Sequence, residues 1–352
     1  MKVLVYGPTI GHGSFARVTA GMASGLKTNG CLAGIISVDD DEDDIADPCD
    51  VQPDVTVIVG PPAAVHSMRR TGIGVRGERL YLLPPNSTWV SEDIVRSVWN
   101  HVTGFIAPSS WAHEILSAQI TKIMGISKPV HLWHHGVSDA FVPNKPASDF
   151  QGRGYDREEF DVLHLASTPM ERKGTGLLLD AWEELVSANA IGDKPMLTVS
   201  ADGVSRVASE LLRRRTVRNL GRLNLSDIDM ANLYASYHVV VQPSRGEGFG
   251  MIPLEASCCG VPVVATECTG HADHMPGCAG SMIIPHGPLS PIDDGPGAMA
   301  PSVSVHDIAF AIEQSYKGWR TLSRAAMRQA DARRDEWSWD SVTSRWLESI
   351  GE

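Results

Sequence analysis

A short apolar strand, a glycine-rich turn and an amphipathic helix open the chain, and this order constrains the fold more than any other feature. Residues 2–6 form the strand, and a second strand at 32–38 follows the helix end at Asn29-Gly30. The helix carries apolar side chains at the spacing of one face: Phe15, Val18, Met22 and Leu26. A strand, a helix and a second strand in this order form a βαβ unit, so the sequence predicts a parallel sheet.

The same alternation begins again after residue 160. We expect a strand at 161–166, a helix at 176–187 and strands at 196–200 and 238–242. The segment 141–160 between the halves is rich in proline, glycine and polar residues, which is typical of an exposed linker. The sequence therefore predicts two doubly wound α/β halves. Ligands of such sheets bind beyond the carboxyl ends of the strands, so two facing halves would form a binding cleft.

Length and charge narrow the classes of protein. A chain of 352 residues with 43% hydrophobic residues is suited to two globular domains. The formal net charge of −12 argues against bulk nucleic-acid binding, which needs a basic surface. No apolar run reaches the ~20 residues of a spanning helix, and the N-terminus does not have the pattern of a signal peptide. We therefore expect a cytoplasmic protein and leave a peripheral membrane contact open.

Two segments concentrate residues that could bind a metal. One has four residues of zinc-ligand type: Cys268, His271, His274 and Cys278. Structural zinc sites usually separate two ligand pairs by a longer spacer, so we expect a polar loop between two strands here. The other is the acidic run 39–44, whose consecutive carboxylates repel one another and indicate a solvated loop. The sequence predicts neither a metal nor a cofactor.

Two glutamates separated by glycines give the strongest chemical signal. Glu247 and Glu255 follow the strand at 238–242, and eight positions correspond to about two turns of helix. The intervening glycines allow backbone N–H groups to approach a ligand. A helix that begins near Ile252 would direct its positive N-terminal end at a diphosphate. By spacing alone, paired carboxylates are weak evidence for a site, and a surface turn would account for them.

The residues around these glutamates resemble a known motif. Residues 243–250 contain the pattern P-S-x-x-E-x-F-G, and residues 255–266 contain E-A-x-x-x-G-x-P-V-V-A-T. This run resembles the donor-site motif of the retaining glycosyltransferases of family 4. The resemblance implies a GT-B fold, with two Rossmann-like doubly wound α/β domains facing across a cleft. Residues 1–145, completed by a helix at 337–352, would be the acceptor side, and 155–335 the nucleotide-sugar donor side.

The resemblance also implies roles for individual residues. Glu255 would bind the ribose hydroxyls, since a carboxylate can accept two hydrogen bonds from neighbouring OH groups. Glu247 would face the donor sugar, with the backbone amides of Phe249 and Gly250 near its hydroxyls. Lys173 resembles the family lysine that contacts the diphosphate, where a fixed cation stabilises the charge that grows on the leaving group.

Several positions depart from the family pattern. Ser167 stands where the family has an arginine, and Arg172 would compensate from nearby. Gly270 lies where the family has a Gly-Gly pair, and His271 replaces the second glycine. The segment Gly60-Pro61-Pro62 replaces a family histidine near the reacting carbon, and the nearby His66 is expected to be an ordinary surface histidine.

The predicted activity is transfer of a sugar, with retention of configuration, from a UDP- or GDP-sugar to an unidentified hydroxyl acceptor, without a required metal. A non-catalytic nucleotide-sugar-binding protein with the same fold is the alternative. A dehydrogenase with two nucleotide-binding halves would leave the glutamate pair without a role. The predicted catalytic residues are Glu247, Lys173 and Arg172. The predicted donor-binding residues are Gly11, Gly13, Ser167, Lys173, Glu247, Gly248, Phe249, Gly250, Glu255, Gly270 and His271.

Overall fold

The computed structural model describes residues 1–11, 13–38, 53–70, 77–143, 159–166, 171–201 and 215–351. The predicted site residue Ser167, the acidic run 39–44 and most of the predicted linker 141–160 lie outside the described residues. The chain divides into two compact units. We call Met1–Ser138 with Glu336–Glu352 the N-terminal unit, and Asp139–Asp335 the C-terminal unit.

The N-terminal unit is built on a six-stranded parallel sheet. Its strands are β1 (Val3–Gly7), β2 (Leu32–Ser37), β3 (Val55–Ile58), β4 (Glu78–Leu82), β5 (Gly104–Ala107) and β6 (Val130–Leu132), in the order β2-β1-β3-β4-β5-β6. Its first four helices are α1 (Ser14–Thr28), α2 (Pro62–Arg70), α3 (Glu92–Val98) and α4 (Ser110–Met124). Strands β1, β3 and β5 are buried along their whole length, as expected when helices cover both faces of a parallel sheet.

The C-terminal unit repeats this architecture. Its sheet contains β7 (Glu159–Leu165), β8 (Lys194–Ser200), β9 (Val217–Asn219), β10 (Val239–Gln242), β11 (Val263–Thr266) and β12 (Ser281–Ile284), in the order β12-β11-β10-β7-β8-β9. The short strands β13 (Leu289–Pro291) and β14 (Met299–Pro301) pair as an antiparallel hairpin. The helices are α5 (Thr175–Ser187), α6 (Asp227–Ala235), α7 (Met251–Cys258) and α8 (Val305–Glu336). Both units are parallel Rossmann-like α/β structures, which confirms the predicted fold class.

Local sequence signals explain where several helices begin and end. The hydroxyl of Ser109 accepts the backbone N–H of Ala112 at 3.1 Å and caps the N-terminus of α4. Gly125 ends the same helix in the left-handed conformation, which a residue without Cβ adopts at low cost. Among the described residues, no helix is long and apolar enough to cross a bilayer.

The last helix, α9 (Trp339–Gly351), packs on α1 within the N-terminal unit. A methyl group at Gly21 would overlap the indole of Trp339, so the helices approach each other through this glycine. Trp346 of α9 stacks on Trp133, with ring centroids 3.9 Å apart and an interplanar angle of 7°. Stacked, buried aromatic rings of this size contribute a large share of a core's stability.

We expect Gly21→Ala to destabilise the N-terminal unit, although alanine is the better helix former. The added methyl group must displace Trp339, and overpacking of this kind costs about 1–3 kcal/mol. Gly318→Ala is the matched control because it lies within α8 and its Cβ would have nothing within 4 Å. This control should be neutral or stabilise by up to about 1 kcal/mol. Urea unfolding followed by tryptophan fluorescence checks both, and equal effects would contradict the packing described here.

Candidate functional site

Two loops of the C-terminal unit lie at the carboxyl ends of neighbouring strands. Residues 171–174 follow β7, and residues 243–250 follow β10. Strands β7 and β10 pair in parallel, with Val239 opposite Val162. Their carboxyl ends therefore meet at one edge of the sheet, which is where open α/β sheets bind ligands.

Hydrogen bonds to backbone carbonyls join these two loops. The N–H of Arg245 donates to the carbonyl of Arg172 at 2.8 Å. The Nη1 atom of Arg172 donates in return to the carbonyl of Gly246 at 2.6 Å. Gly174 has φ +68°, and a methyl group there would overlap the carbonyl oxygen of Pro243. The close approach of the loops therefore requires glycine at position 174.

We expect Gly174→Ala to separate the loops and to lower stability by more than its backbone strain alone. Gly277 provides the control because it has φ +71° and a Cβ there would have nothing within 4 Å. Gly277→Ala should cost about 1–2 kcal/mol from the left-handed backbone. Gly174→Ala should cost about 1–3 kcal/mol more because of the overlap. Thermal unfolding measures the difference, and equal losses for the two variants would show that the loops do not depend on this contact.

Three charged side chains meet between the loops. Lys173 Nζ lies 2.6 Å from Glu247 Oε1, and Arg172 Nη1 lies 3.0 Å from Glu247 Oε2. Each carboxylate oxygen thus accepts from one cation. All three residues are buried, with 8% of Arg172, 8% of Lys173 and 6% of Glu247 exposed. The structure therefore brings together the three residues predicted to be catalytic.

The charges in this cluster shift one another's pKa values. Burial by itself would raise the pKa of Glu247, but the neighbouring Lys173 and Arg172 hold it well below its usual range. Burial lowers the pKa of Lys173, and the charge of Glu247 opposes this effect. The same cluster is bordered by His271, whose pKa burial lowers to about 4. At neutral pH, His271 is therefore an uncharged imidazole beside an ionised carboxylate.

The glycines of the second loop allow the chain to pack closely on itself. Gly250 precedes α7 with φ +84°, and a methyl group there would overlap the imidazole of His271. The N–H of Gly270 donates to the carbonyl of Glu247 at 2.9 Å, and its Cβ would come within 2.5 Å of the Phe249 Cα. Gly248 and Phe249 are buried between these contacts. The predicted residues Glu247, Gly248, Phe249, Gly250, Gly270 and His271 therefore form one packed cluster.

Glu255 lies in the middle of α7 and is completely buried, with 0% of the residue exposed. The hydroxyl of Tyr234 donates to its Oε2 atom at 2.7 Å. Tyr234 was not among the predicted site residues. The two positions are 21 residues apart on different helices, and no sequence pattern connects them.

The predicted residues of the first glycine-rich loop belong to the N-terminal unit. Gly11 has φ +92° and Gly13 is the residue before α1, and both are exposed after β1. His12 between them and the predicted Ser167 lie outside the described residues. His66 is exposed on α2, as expected for a surface histidine, and its ring lies 5.4 Å from that of His101.

The four residues of zinc-ligand type lie between β11 and β12, as predicted, and all four are buried. A short 3-10 helix, Thr269–Asp273, lies under the 243–250 loop and contains His271, while Cys268 and His274 flank it and Cys278 follows further along the chain. Their polar atoms face separate partners: the Nδ1 of His271 donates to the Thr266 carbonyl at 3.1 Å, and the Nε2 of His274 lies 3.2 Å from the Phe249 carbonyl. Within the described ranges, no three His, Cys, Asp or Glu side chains are arranged to hold a metal ion.

Two buried residues that the sequence analysis missed support this edge of the sheet. His164 of β7 donates through Nδ1 to the Val241 carbonyl of β10 at 2.9 Å. Its Nε2 lies 2.9 Å from the hydroxyl of Thr175, at the start of α5. Burial lowers the pKa of His164 to about 4, so its neutral form accepts from Thr175. The imidazole thereby joins the two strands to the helix that follows Lys173.

Arg245 connects the β13–β14 hairpin to the same loops through hydrogen bonds and an ion pair. Its guanidinium pairs with Glu171 at 2.9 Å and donates to the hydroxyl of Ser290 at 2.7 Å and the carbonyl of Pro301 at 3.1 Å. A planar guanidinium with several donors suits this role because it can hold several acceptors at once.

The region that carries these loops matches a known protein family. Residues 159–304 match the family model for glycosyl transferases group 1. One curated relative, the D-inositol 3-phosphate glycosyltransferase of Frankia alni, is 30% identical over 142 residues, which cover 38% of this chain. The matched stretch is 34% of that relative, so the chain spans about a third of its length.

Solved structures resemble the chain over nearly its whole length. Sucrose-phosphate synthase from Thermosynechococcus elongatus has a TM-score of 0.68 at 14% identity, covering 99% of this chain and 98% of that one. Anabaena Alr3699/HepE, solved in complex with UDP-glucose, has a TM-score of 0.63 at 16% identity, covering 100% and 99%. Both structures are similar to this chain in fold, and this fold is that of the GT-B glycosyltransferases.

Proposed function

We propose that this protein is a retaining glycosyltransferase of family 4 that moves a sugar from a nucleotide diphosphate donor to a hydroxyl acceptor. The observation that carries the proposal is the buried cluster of Arg172, Lys173 and Glu247 at the carboxyl edge of the sheet. The cluster lies inside the region that matches the glycosyl transferase family model. A surface turn, the alternative reading of the two glutamates, does not account for this burial.

Each charged residue has a role that follows from its position. The leaving diphosphate gains charge as the bond to the sugar breaks, and fixed cations stabilise this charge most where water is excluded. Lys173 and Arg172 would supply the two cations, and Glu247 would hold them in place while facing the sugar. Protein cations can perform the charge stabilisation that a metal ion supplies in other enzymes, so we propose no metal requirement.

The donor is proposed to be a UDP- or GDP-sugar. The relative from Frankia alni is a glycosyltransferase by name, and the Anabaena structure holds UDP-glucose. Glu255 would bind the two ribose hydroxyls of either nucleotide, since that contact does not depend on the base. The acceptor, a cytoplasmic location and a peripheral membrane contact remain predictions from the sequence.

A non-catalytic nucleotide-sugar-binding protein is the second candidate. It is favoured by Ser167 and Gly60-Pro61-Pro62, which replace an arginine and a histidine of the family pattern. Both candidates predict donor binding, and only the first predicts bond cleavage.

The test has two stages on the purified chain. A panel of nucleotide sugars is first screened by thermal shift, because a ligand of the native state raises the unfolding midpoint. Any stabilising donor is then incubated with the protein, and release of the nucleoside diphosphate and the anomeric configuration of the product are measured by NMR. Binding without cleavage would favour the second candidate, and an inverted product would contradict retention.

A further inference from the structure

The hydroxyl of Tyr234 and the carboxylate of Glu255 form a buried pair, and the proposed function gives a role to Glu255 but none to Tyr234. Both residues have 0% exposure, and the phenol donates to Oε2 at 2.7 Å. This distance is typical of a hydrogen bond between a hydroxyl group and a carboxylate, which is about twice as strong as a bond between neutral groups. The pair therefore fixes the direction of the Glu255 side chain inside the protein.

Tyr234 is itself held firmly. It is the second-last residue of α6, whose first turn is capped by the hydroxyl of Ser226, 3.2 Å from the Asp229 nitrogen. The ring centroid of Tyr234 lies 6.1 Å from that of Phe141. The N–H of Tyr237 donates to the Tyr234 carbonyl at 3.1 Å and closes the turn after the helix. A phenol on so constrained a residue can act as a fixed donor.

Without the phenol hydroxyl, the Glu255 carboxylate would lose a hydrogen bond and its side chain could rotate more freely. Loss of one hydrogen bond from a buried carboxylate is unfavourable, and a glutamate has three rotatable bonds that can move its oxygens elsewhere. A ligand that needs the carboxylate in one position would then have to order it during binding. Such ordering of a flexible side chain reduces affinity.

We propose that Tyr234 is a positioning residue that holds Glu255 in the orientation in which it receives the ribose diol of the donor. The inference rests on the proposed function, because the nucleotide is the ligand that Glu255 would bind. Tyr234 does not touch the donor in this proposal. It acts through Glu255 alone.

The first experiment is Tyr234→Phe, which removes the hydroxyl and keeps the ring. Titration calorimetry with UDP and with GDP should show about tenfold weaker binding of the nucleotide that the wild type prefers. The rate of donor cleavage at saturating donor should stay within about twofold, because a uniform loss of binding affects KM rather than kcat. Tyr237→Phe is the matched control, since its hydroxyl accepts from Arg218 at 3.3 Å and the hydroxyl that donates to Glu255 is that of Tyr234. It should bind as the wild type does.

The second experiment separates positioning from a general structural effect. If Tyr234 acts through Glu255, the Tyr234→Phe/Glu255→Gln double variant should bind no more weakly than Glu255→Gln alone. Additive losses would overturn the proposal, because a structural defect adds to the loss of the carboxylate. Unchanged affinity in Tyr234→Phe beside weakened affinity in Glu255→Gln would overturn it too, and would leave the proposed function intact. Wild-type protein that binds neither nucleotide would instead contradict the proposed function, and this inference with it.

Discussion

Replacing Lys173 by methionine is expected to slow donor cleavage about a hundredfold and to change donor affinity much less. Methionine keeps most of the length of the side chain and removes its charge. In the proposed reaction, the lysine faces phosphate oxygens whose charge increases as the glycosidic bond breaks, so its contribution is larger in the transition state than in the ground state. Arg172 still pairs with Glu247 at 3.0 Å, which should keep the variant folded.

The measurement is kcat and KM for release of the nucleoside diphosphate, together with the thermal midpoint. Lys317→Met provides a control, because Lys317 forms an ion pair with Glu313 on the surface and 56% of its side chain is exposed. The control should have wild-type kinetics. A Lys173→Met enzyme with wild-type kcat and a raised KM would mean that the lysine binds the donor equally in the ground state and the transition state. Unchanged kcat and KM would contradict its assignment to the donor site.

The sequence predicted most of the buried strands, and the reason is physical. A strand covered on both faces reads as a continuous apolar run, and the strand predicted at 238–242 is β10, Val239–Gln242, which is buried along its whole length. Strands β6 and β9 were missed because each has only three residues and includes polar side chains, such as His131 and Arg218. Such short edge strands are defined by the neighbour they pair with, which a local pattern does not contain.

The site was predicted residue by residue, while its internal contacts were not. The sequence analysis assigned Lys173 and Glu247 separately to the donor, and the structure places them 2.6 Å apart although they are 74 positions apart in the chain. That contact depends on β7 and β10 being neighbours, and strand order cannot be read from alternating elements alone. The buried state of His271 was missed for a related reason, since only the packing of the 3-10 helix under the 243–250 loop excludes water from it.

Glu247→Ala is expected to destabilise the C-terminal unit by about 3–5 kcal/mol, because it removes the counter-charge of two buried cations. Lys173 and Arg172 would remain with only 8% of each residue exposed and no carboxylate between them. The two like charges lie on either side of the same carboxylate position, so they repel one another, and burial keeps away the water that would otherwise stabilise them. Denaturant unfolding of the variant and the wild type measures the loss.

Three comparisons show whether the loss of stability comes from the charges. Glu313→Ala breaks the exposed pair with Lys317 and should cost less than about 1 kcal/mol. Combining Glu247→Ala with Lys173→Met removes one of the two uncompensated cations, so the double variant should be more stable than Glu247→Ala alone. Pyrophosphate should also raise the midpoint of Glu247→Ala by more than that of the wild type, because an anion can take the place of the lost carboxylate. If the double variant is instead less stable than Glu247→Ala, the side chain of Lys173 stabilises the loops through its packing, and the buried ion cluster is not what holds them together.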